Sequence, residues 1–443
     1  MSPTFRALQV RNYRVYAGGA FLSNVGTWMQ RVAQDWLVLQ LTDNSGTALG
    51  ITTGLQFLPM LLLSPLAGVV ADRFPKRKVL VATQLMMAIP AVALGVLAVT
   101  GTVTVWQVFV LAFLFGVGHA FDAPARQSFV IEMVGSDDLA NAVGLNSASF
   151  NSARVIGPAV AGFLIAALGS GVTATGWAIL LNAVSYLAVL TSLRLLDTSR
   201  LHPATPAPRG GGAVREGLRY VRRRPDLMLL LATVFFVGTF GMNFQMTTAL
   251  IATEVFHKGA GEFGLLGSIM AVGSVVGSLL AARRNNPRLR LVVGAALIFA
   301  VVEIALGLMP TYLTFALFLP IVGLCALTMI TSANATIQLT VAPEMRGRVA
   351  ALYLMIFLGG TPAGAPVIGW VGEEFGARWT LLGGGLVTLV GTLVALGVYL
   401  QRGGLVVRAR IGRPALSVSP RSEAHTRERV EEQAAAPDAT VAS

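Results

Sequence analysis

Twelve apolar runs, each close to the length that crosses a bilayer as an α-helix, alternate with short polar segments along the 443 residues. About twenty apolar residues are enough to span the hydrocarbon core. The pattern predicts an all-α polytopic membrane protein with twelve transmembrane helices, and an even number of crossings places both termini on the same side. The predicted spans are residues 14–41, 47–71, 79–99, 105–124, 140–167, 174–195, 227–252, 262–282, 290–309, 312–337, 347–371 and 377–400.

A polar segment divides these spans into two sets of six. It opens with H-P-A-T-P-A-P-R-G-G-G and continues as R-E-G-L-R-Y-V-R-R-R-P, which predicts an amphipathic helix. This helix lies on an anionic membrane surface, straps the two halves together, or belongs to a solvated linker that only preserves topology. We predict a six-helix half at 1–195, a cytoplasmic linker at 196–225, a second six-helix half at 226–400 and a disordered tail at 401–443.

The two sets of spans also share a short sequence. Gly157–Gly162 in the fifth span reads G-P-A-V-A-G, and Gly364–Gly369 in the eleventh span, 207 residues later, reads G-A-P-V-I-G. Parallel repeats of this kind are typical of transporters built from two six-helix halves.

Composition excludes several classes of protein. The chain is 54% hydrophobic and only 12% charged, with a mean hydropathy of +0.69, which is far from the soluble globular range. Cys325 is the only cysteine, so neither an internal disulfide nor a cysteine-based metal site is expected. No phosphate-cradling G-x-x-x-x-G-K-[ST] sequence, metal-ligand spacing or nucleophile motif is present, which predicts no enzyme activity, no metal and no cofactor.

The net charge of +12 is explained by membrane topology, and nucleic acid is not an expected partner. With the N-terminus inside, 29 of the 33 Lys and Arg residues fall on the cytoplasmic side. Lys258 and Arg378 fall outside, and Arg31 and Arg154 fall within spans. The positive-inside rule therefore predicts a multi-pass protein of the plasma (inner) membrane with both termini in the cytoplasm.

The loop between the second and third spans is the densest cationic cluster of the first half. It reads G-V-V-A-D-R-F-P-K-R-K from Gly68 to Lys78 and resembles the corresponding loop of the major facilitator superfamily of transporters. The resemblance implies the twelve-helix facilitator fold, with a glycine for close helix approach, an aspartate that caps or pairs with a neighbouring helix, and basic residues that latch the halves together. Asp122, at the end of the fourth span, is expected to accept these basic residues; the alternative is a plain cytoplasmic turn. The predicted cytoplasmic gate comprises Gly68, Asp72, Arg73, Lys76, Arg77, Asp122 and Arg126.

Three further stretches narrow the resemblance. A-R-V-I-G-P-A-V-A-G in the fifth span resembles the antiporter motif of drug exporters, with Gly157, Pro158 and Gly162 as its helix-kink residues. H-A-F-D-A-P-A-R-Q-S-F-V-I-E-M-V and P-E-M-R-G-R-V resemble the drug:proton antiporter family 3 branch, which includes enterobactin and macrolide exporters. This resemblance implies export.

Four charged residues lie within spans, where an unpaired charge is costly and therefore marks a functional candidate. Arg31 and Asp35 are one helical turn apart in the first span, Arg154 is in the fifth and Glu303 is in the ninth. We predict that Asp35 binds a proton or faces a cationic partner in turn, and that Arg154 tunes it; a permanent structural ion pair is the alternative. Glu303 is interpreted as a packing carboxylate or a lipid-side contact more readily than as a coupling residue.

Amides and aromatic residues within the spans predict a mixed pocket for an amphipathic ligand. His119 is interpreted as a packing residue more readily than as a proton relay. The predicted substrate cavity comprises Trp28, Gln34, Asn146, Asn151, Asn243, Gln245 and Asn334.

The sequence thus predicts a monomeric secondary transporter that exports small amphipathic, drug-like molecules by alternating access, in antiport with protons. Its expected partners are the small-molecule substrate, protons and the lipid bilayer. The first alternative is a siderophore or metabolite exporter of narrow specificity, and the second is a membrane scaffold or receptor that does not transport.

Overall fold

The computed structural model describes residues 3–135, 138–202, 213–282, 289–403, 405–409 and 416–420, and nearly all of them are helical. The first half contains six long helices, α1 to α6: Arg11–Leu41, Gly46–Arg73, Lys76–Val99, Val105–Val134, Leu139–Ala167 and Val172–Arg194. A short helix, α7 (Ala213–Arg222), precedes the second half. Helices α8 to α13 of that half are Pro225–Val255, Ala260–Ala282, Leu289–Gly307, Tyr312–Thr340, Pro343–Phe375 and Arg378–Gly403.

Eleven helices of the described residues are long and apolar enough to cross a membrane. Helix α1 has 31 residues but is more polar, because it carries Arg31 and Asp35. It packs against α5 and α6 inside the first half, where polar side chains find protein partners. The described residues therefore form twelve transmembrane helices in two six-helix halves, as the hydrophobic pattern predicts.

Most helices extend past their predicted ends by up to three residues, whereas α4 and α12 extend by four residues or more. Helix α4 continues to Val134, past the predicted end at residue 124, because Phe129, Val130 and Met133 keep one face apolar and buried. Helix α12 begins at Pro343, earlier than the predicted residue 347, since proline is well suited to a first helical turn.

Helix α8 is interrupted near its middle. Two π-helical turns, Val237–Gly241 and Ile251–Val255, flank a short α-helical segment, Phe244–Leu250. Met242 and Asn243 lie between the first π-turn and this segment, outside helical structure. Such interruptions leave backbone polar groups free and are frequent at functional sites.

The two halves meet mainly through two pairs of helices, α2 with α12 and α5 with α9, and α8 makes smaller contacts with α1 and α2. We call the end of the bundle with the 72–78 loop the loop end, and the opposite end the far end. A Cβ atom at Gly50 of α2 would lie 2.9 Å from the carbonyl carbon of Ala365, and one at Gly162 of α5 would lie 3.0 Å from the Cα of Gly264. Both contacts are in the parts of α2 and α5 nearest the far end, so the halves are closed there.

The halves are apart at the loop end. A Cβ atom at Gly68 of α2 or at Gly144 of α5 would have no described atom within 4 Å. Phe150 on α5 is 45% exposed, and Leu62 and Leu66 on α2 are 61% and 52% exposed. The interior between the halves is therefore reached from the loop end.

A polar contact adds to the closure of the far end. Glu373 of α12 accepts a hydrogen bond from the Ser45 hydroxyl (2.8 Å) and one from the backbone N–H of Thr47 (2.9 Å). These groups belong to the first turn of α2, where backbone donors have no helical partner. A carboxylate at this position caps the helix and complements its dipole.

We expect Glu373→Ala to open the far end more often, because it removes this cap of about 1 kcal/mol, or roughly fivefold in the equilibrium between conformations. Spin labels at Trp106→Cys and Leu313→Cys, on the two halves near the far end, report the separation in a Cys325→Ser background. Glu374→Ala is the matched control, since the neighbouring carboxylate is exposed and has no described partner. An equal response of the two variants would show that the cap does not hold the halves together.

The amphipathic helix predicted in the linker is α7. Val221 is buried and Leu218 is 48% exposed. Glu216 pairs with Arg348 of α12 (3.1 Å), and a Cβ atom at Gly217 would lie 3.2 Å from a methyl carbon of Leu352. The contacts described for α7 are therefore with the second half.

The predicted disordered tail differs over part of its length. Strands β1 (Leu405–Ala409) and β2 (Leu416–Pro420) pair antiparallel, with Leu405 opposite Pro420 and Ala409 opposite Leu416. These segments contain valines, whose branched side chains favour extended structure. The remainder of the tail lies outside the described residues.

Candidate functional site

A cavity of about 180 Å³ lies between the two halves. It is lined by α1, α2 and α5 of the first half and by α8, α9 and α12 of the second. Its lining combines residues that were predicted separately as charged residues within spans, amides, aromatic residues and the helix-kink motif. The predicted residues in the lining are Trp28, Arg31, Asp35, Arg154, Pro158, Asn243 and Gln245.

Asp35 joins the two halves across this cavity. Its side chain is 4% exposed, and its Oδ2 accepts a hydrogen bond of 2.6 Å from Nε2 of Gln245 on α8. Gln245 follows directly on the interruption of α8, so its position depends on how that helix is broken. The contact therefore connects a carboxylate of the first half to the irregular part of a helix in the second.

The ion pair given as the alternative for Asp35 is not formed in this conformation. No Lys or Arg nitrogen of the described residues lies within 4.0 Å of its carboxylate. The Arg31 guanidinium lies over the rings of Trp28 (4.8 Å) and Phe57 (5.3 Å), and that of Arg154 lies over Trp28 at 5.6 Å. Both cations are held against aromatic faces, which satisfies part of their charge without a carboxylate.

A second cavity, of about 360 Å³, continues from the first toward the loop end. Trp28 and Arg31 border both cavities, and Phe150 packs edge-on against Trp28 at 5.8 Å. The lining also includes Asn146 and Asn151, as predicted, together with His119. All its lining residues come from the first half, which agrees with the separation of the halves at this end.

Two predicted cavity residues lie elsewhere. Gln34 is 1% exposed and buried in the first half, where its Nε2 has no described partner. Asn334 is exposed and accepts a hydrogen bond of 2.9 Å from Gln338. A polar residue in a span can face the cavity, another helix of its own half or an exposed surface. The side of the helix on which it lies determines which of these it faces.

Glu303 is separate from the Asp35 cavity and does not face lipid. It is 1% exposed and lies inside the second half, next to Gly241 of α8 and Gly384 of α13. The expectation of a lipid-side contact is therefore wrong, whereas packing inside the half agrees with the structure.

The pairing predicted between Asp122 and the basic residues of the 72–78 loop is not formed in this conformation, which is open at the loop end. Asp122 pairs with Arg126 at 2.8 Å and accepts hydrogen bonds from Thr83 and Gln84. Lys76 of the loop instead pairs with Glu132 at 3.0 Å. The reason is the extension of α4 to Val134, which places Glu132 beside the loop and keeps Asp122 deeper in the bundle.

The remaining gate residues do not connect the halves here. Asp72 and Arg73 are exposed, and Arg77 donates to the backbone carbonyl of Leu193 at 2.7 Å. Close helix approach at Gly68 is likewise not observed. The predicted gate would require a different conformation, in which the loop end is closed and these residues approach the other half.

The helix-kink residues pack tightly. A Cβ atom at Gly157 would lie 2.8 Å from the carbonyl oxygen of Val25 on α1, whereas Gly162 approaches α9 of the other half. Pro158 lies in the cavity wall. The motif therefore shapes both the interior of the first half and its junction with the second.

The prediction missed several lining residues. Gln56 and Phe57 enter the cavity from α2, and Met246 and Met270 enter from the second half. Gln56 had a detectable signal, because it is an isolated amide in an apolar span. The methionines had none, since apolar residues in a span are equally expected to face lipid or protein.

Two six-helix halves around a shared, mostly apolar cavity define a membrane transporter of the major facilitator fold. A solved structure with the same fold is that of a bacterial homologue of the human lysosomal transporter Spinster. Its TM-score is 0.67 at 17% identity, and the match covers 90% of this chain and 97% of that one.

The chain belongs to the transmembrane secretion effector family, whose model matches residues 2–417. Macrolide efflux protein A of Streptococcus pyogenes is 25% identical over 404 residues, and the multidrug efflux pump Tap of Mycolicibacterium fortuitum is 30% identical over 402 residues. The staphyloferrin A transporter of Staphylococcus aureus is 23% identical over 397 residues. Each match covers 86% of this chain and 94% of the relative.

These comparisons confirm the resemblance to the macrolide-exporter branch of the superfamily. The protein is a multi-pass plasma-membrane transporter of an efflux family, and it is not an enzyme. Membership of this family disfavours the alternative of a scaffold that does not transport.

Proposed function

We propose that the protein exports small amphipathic organic molecules by alternating access, in exchange for protons that bind Asp35. The observation that carries this proposal is the hydrogen bond between Asp35 of the first half and Gln245 of the second. A carboxylate that contacts both halves couples its protonation to their relative position, because each charge state favours a different arrangement.

The proposed cycle follows from this contact. Ionised Asp35 accepts a charge-assisted hydrogen bond from Gln245, which holds α1 and α8 together. A proton on Asp35 weakens that bond and removes the negative charge that offsets Arg31 and Arg154. The two protonation states then favour closure at opposite ends, and rocking of the halves exposes the cavity to each side in turn.

The distribution of Lys and Arg supports an orientation with the loop end in the cytoplasm. In that orientation the conformation described here is open to the cytoplasm, where an exporter loads its substrate. We infer that Gly68, Asp72 and Arg73 come into contact with the other half when the loop end closes. We also expect the protein to function as a monomer, since both halves of the cavity belong to one chain.

The lining supports an amphipathic substrate. Trp28, Phe57 and Phe244 offer aromatic surface, and methionines of the second half offer an adaptable apolar wall. Relatives include a macrolide efflux protein and a multidrug efflux pump, and a surface of this kind suits ligands of varied shape.

One observation favours a second candidate, the export of an organic anion such as a carboxylate metabolite or siderophore. Arg31 and Arg154 rest on aromatic rings and pair with no carboxylate among the described residues, and the Nε of Arg31 has no hydrogen-bond partner there. Guanidinium groups of this kind are suited to bind a carboxylate. The similarity to a staphyloferrin A transporter agrees with this candidate.

The test is transport by the purified protein in proteoliposomes with an imposed pH gradient. The panel contains lipophilic cations, neutral macrolides and polycarboxylate siderophores. We expect accumulation of at least one class, driven by the gradient and abolished by a protonophore. Selective movement of the carboxylates would favour the second candidate. Accumulation that does not respond to the gradient would overturn exchange with protons.

A further inference from the structure

A buried carboxyl group in the second half has an oxygen without a hydrogen-bond partner among the described residues. Glu303 on α10 is 1% exposed, and its Oε2 makes no hydrogen bond to any described residue. An ionised carboxylate in such a place is costly, so the group is expected to carry a proton in this conformation. A packing role alone does not require an acid here, because an apolar residue would fill the same space without that cost.

The surroundings of Glu303 contain no compensating charge. A Cβ atom at Gly241 of α8 would lie 3.1 Å from its Oε2, and one at Gly384 of α13 would lie 3.3 Å from its Oε1. Both carboxyl oxygens thus lie against glycines on two different helices. The ionisable side chains on the helices packed against α10 are Asp226 and Glu254 on α8, Tyr312 and Cys325 on α11, and Arg378, Tyr399 and Arg402 on α13, and none of them pairs with Glu303.

Glu303 lies beside the central cavity, in the part of α10 nearest the far end. It lies about one helical turn before the end of α10 at Gly307, which is at the far end. Its neighbour Gly241 is the last residue of the π-turn and is followed directly by Met242 and Asn243, which line the cavity. The group therefore lies beside the interruption of α8 that also precedes Gln245.

Other polar atoms without partners lie on the same helices. In the described part of the second half these are the side-chain oxygens of Thr233, Thr239 and Asn243 on α8, of Glu303 on α10 and of Thr392 on α13. Buried polar atoms are normally satisfied by protein or by water, and water between such groups conducts protons. No comparable set occurs on α9, α11 or α12 of the residues described.

We propose that Glu303 is a second proton-binding site, which receives protons from the far side and exchanges them with the cavity through the interruption of α8. This inference rests on the proposed exchange of substrate for protons. In the orientation given above, the far side is outside the cell, from which protons enter. Transfer of the proton from Glu303 to the cavity while the far end is open would leave a charge beside Gly241 and thus favour rearrangement of α8.

The experiment compares Glu303→Gln with wild type in two assays of the same proteoliposomes. Glutamine keeps the shape of the side chain but does not exchange a proton. We expect Glu303→Gln to lose accumulation driven by a pH gradient while substrate counterflow, which needs no net proton movement, continues at the wild-type rate. Glu254→Gln, on an exposed carboxyl of α8, is the control and should behave as wild type in both assays.

Glu303→Asp separates a proton site from a packing role and also serves if the Gln variant does not fold. The shorter acid should restore accumulation, with a shifted pH dependence, although it packs less well. Normal gradient-driven accumulation by Glu303→Gln would overturn the inference while leaving the role of Asp35 intact. If wild type itself did not respond to the gradient, both this inference and proton exchange would fail.

Discussion

Replacement of Asp35 by Asn is expected to reduce pH-gradient-driven accumulation by about 5- to 150-fold, the usual range for coupling between two ligands of one protein. Asparagine retains a side-chain oxygen that can accept the hydrogen bond from Gln245, so the halves still pack. It does not bind and release a proton, so substrate transport no longer depends on the gradient. Accumulation measured between pH 5.5 and pH 8 should therefore become independent of pH.

Binding is the internal control for this variant. Trp28 lines the cavity, so its fluorescence reports substrate binding in detergent, and the affinity of Asp35→Asn should stay within a few-fold of wild type. Asp43→Asn is the matched control variant, because it makes the same replacement at an exposed position after the end of α1. Asp43 has a φ of 50°, which asparagine tolerates. Undiminished, pH-dependent pumping by Asp35→Asn would assign Asp35 a structural role only.

Gly50→Leu is expected to abolish transport by a different route. Gly50 contacts α12 where the halves close at the far end, and a Cβ atom there would already lie 2.9 Å from the Cα of Pro366. A leucine forces α2 and α12 apart at a cost of about 1–3 kcal/mol to the conformation described here. The population should shift toward the arrangement that is open at the far end.

The spin labels at Trp106→Cys and Leu313→Cys measure this shift as a longer mean separation. Gly294→Leu on α10 is the control, because a Cβ atom at Gly294 has no described atom within 4 Å. Unchanged separation in a Gly50→Leu protein with the wild-type melting temperature would contradict the assignment of this junction as the closed end. A lowered melting temperature would indicate misfolding instead.

The fold follows from the sequence because the bilayer leaves few choices. Each apolar run must form a complete helix, so the run lengths predict the number of spans and, to within three residues, most of their ends. The error at α4 arose because a helix that leaves the membrane continues as long as one face stays buried. Hydropathy does not detect this, whereas Phe129 and Met133 at helical spacing do.

The site was predicted only in part, because partners across the halves are not encoded locally. Arg31 and Asp35 are one turn apart, which predicts a pair, yet Asp35 contacts Gln245, 210 residues away. The interruption of α8 sets the position of Gln245. No single residue near Met242 predicts a π-turn, so the sequence does not indicate this interruption. The amides illustrate the same limit, since Asn146 reaches a cavity whereas Asn334 lies at an exposed surface.

The contacts of α7 have a consequence for how the chain can be divided. Glu216 and Gly217 of α7 contact α12, so α7 is packed on the second half and is not a flexible linker between the two halves. A break ahead of Ala213 would leave each fragment with all of its own packing, and the glycine-lined seams between α2 and α12 and between α5 and α9 would remain to rejoin them. We therefore expect the two halves to assemble as separate pieces, with the covalent link between them serving mainly to raise their local concentration.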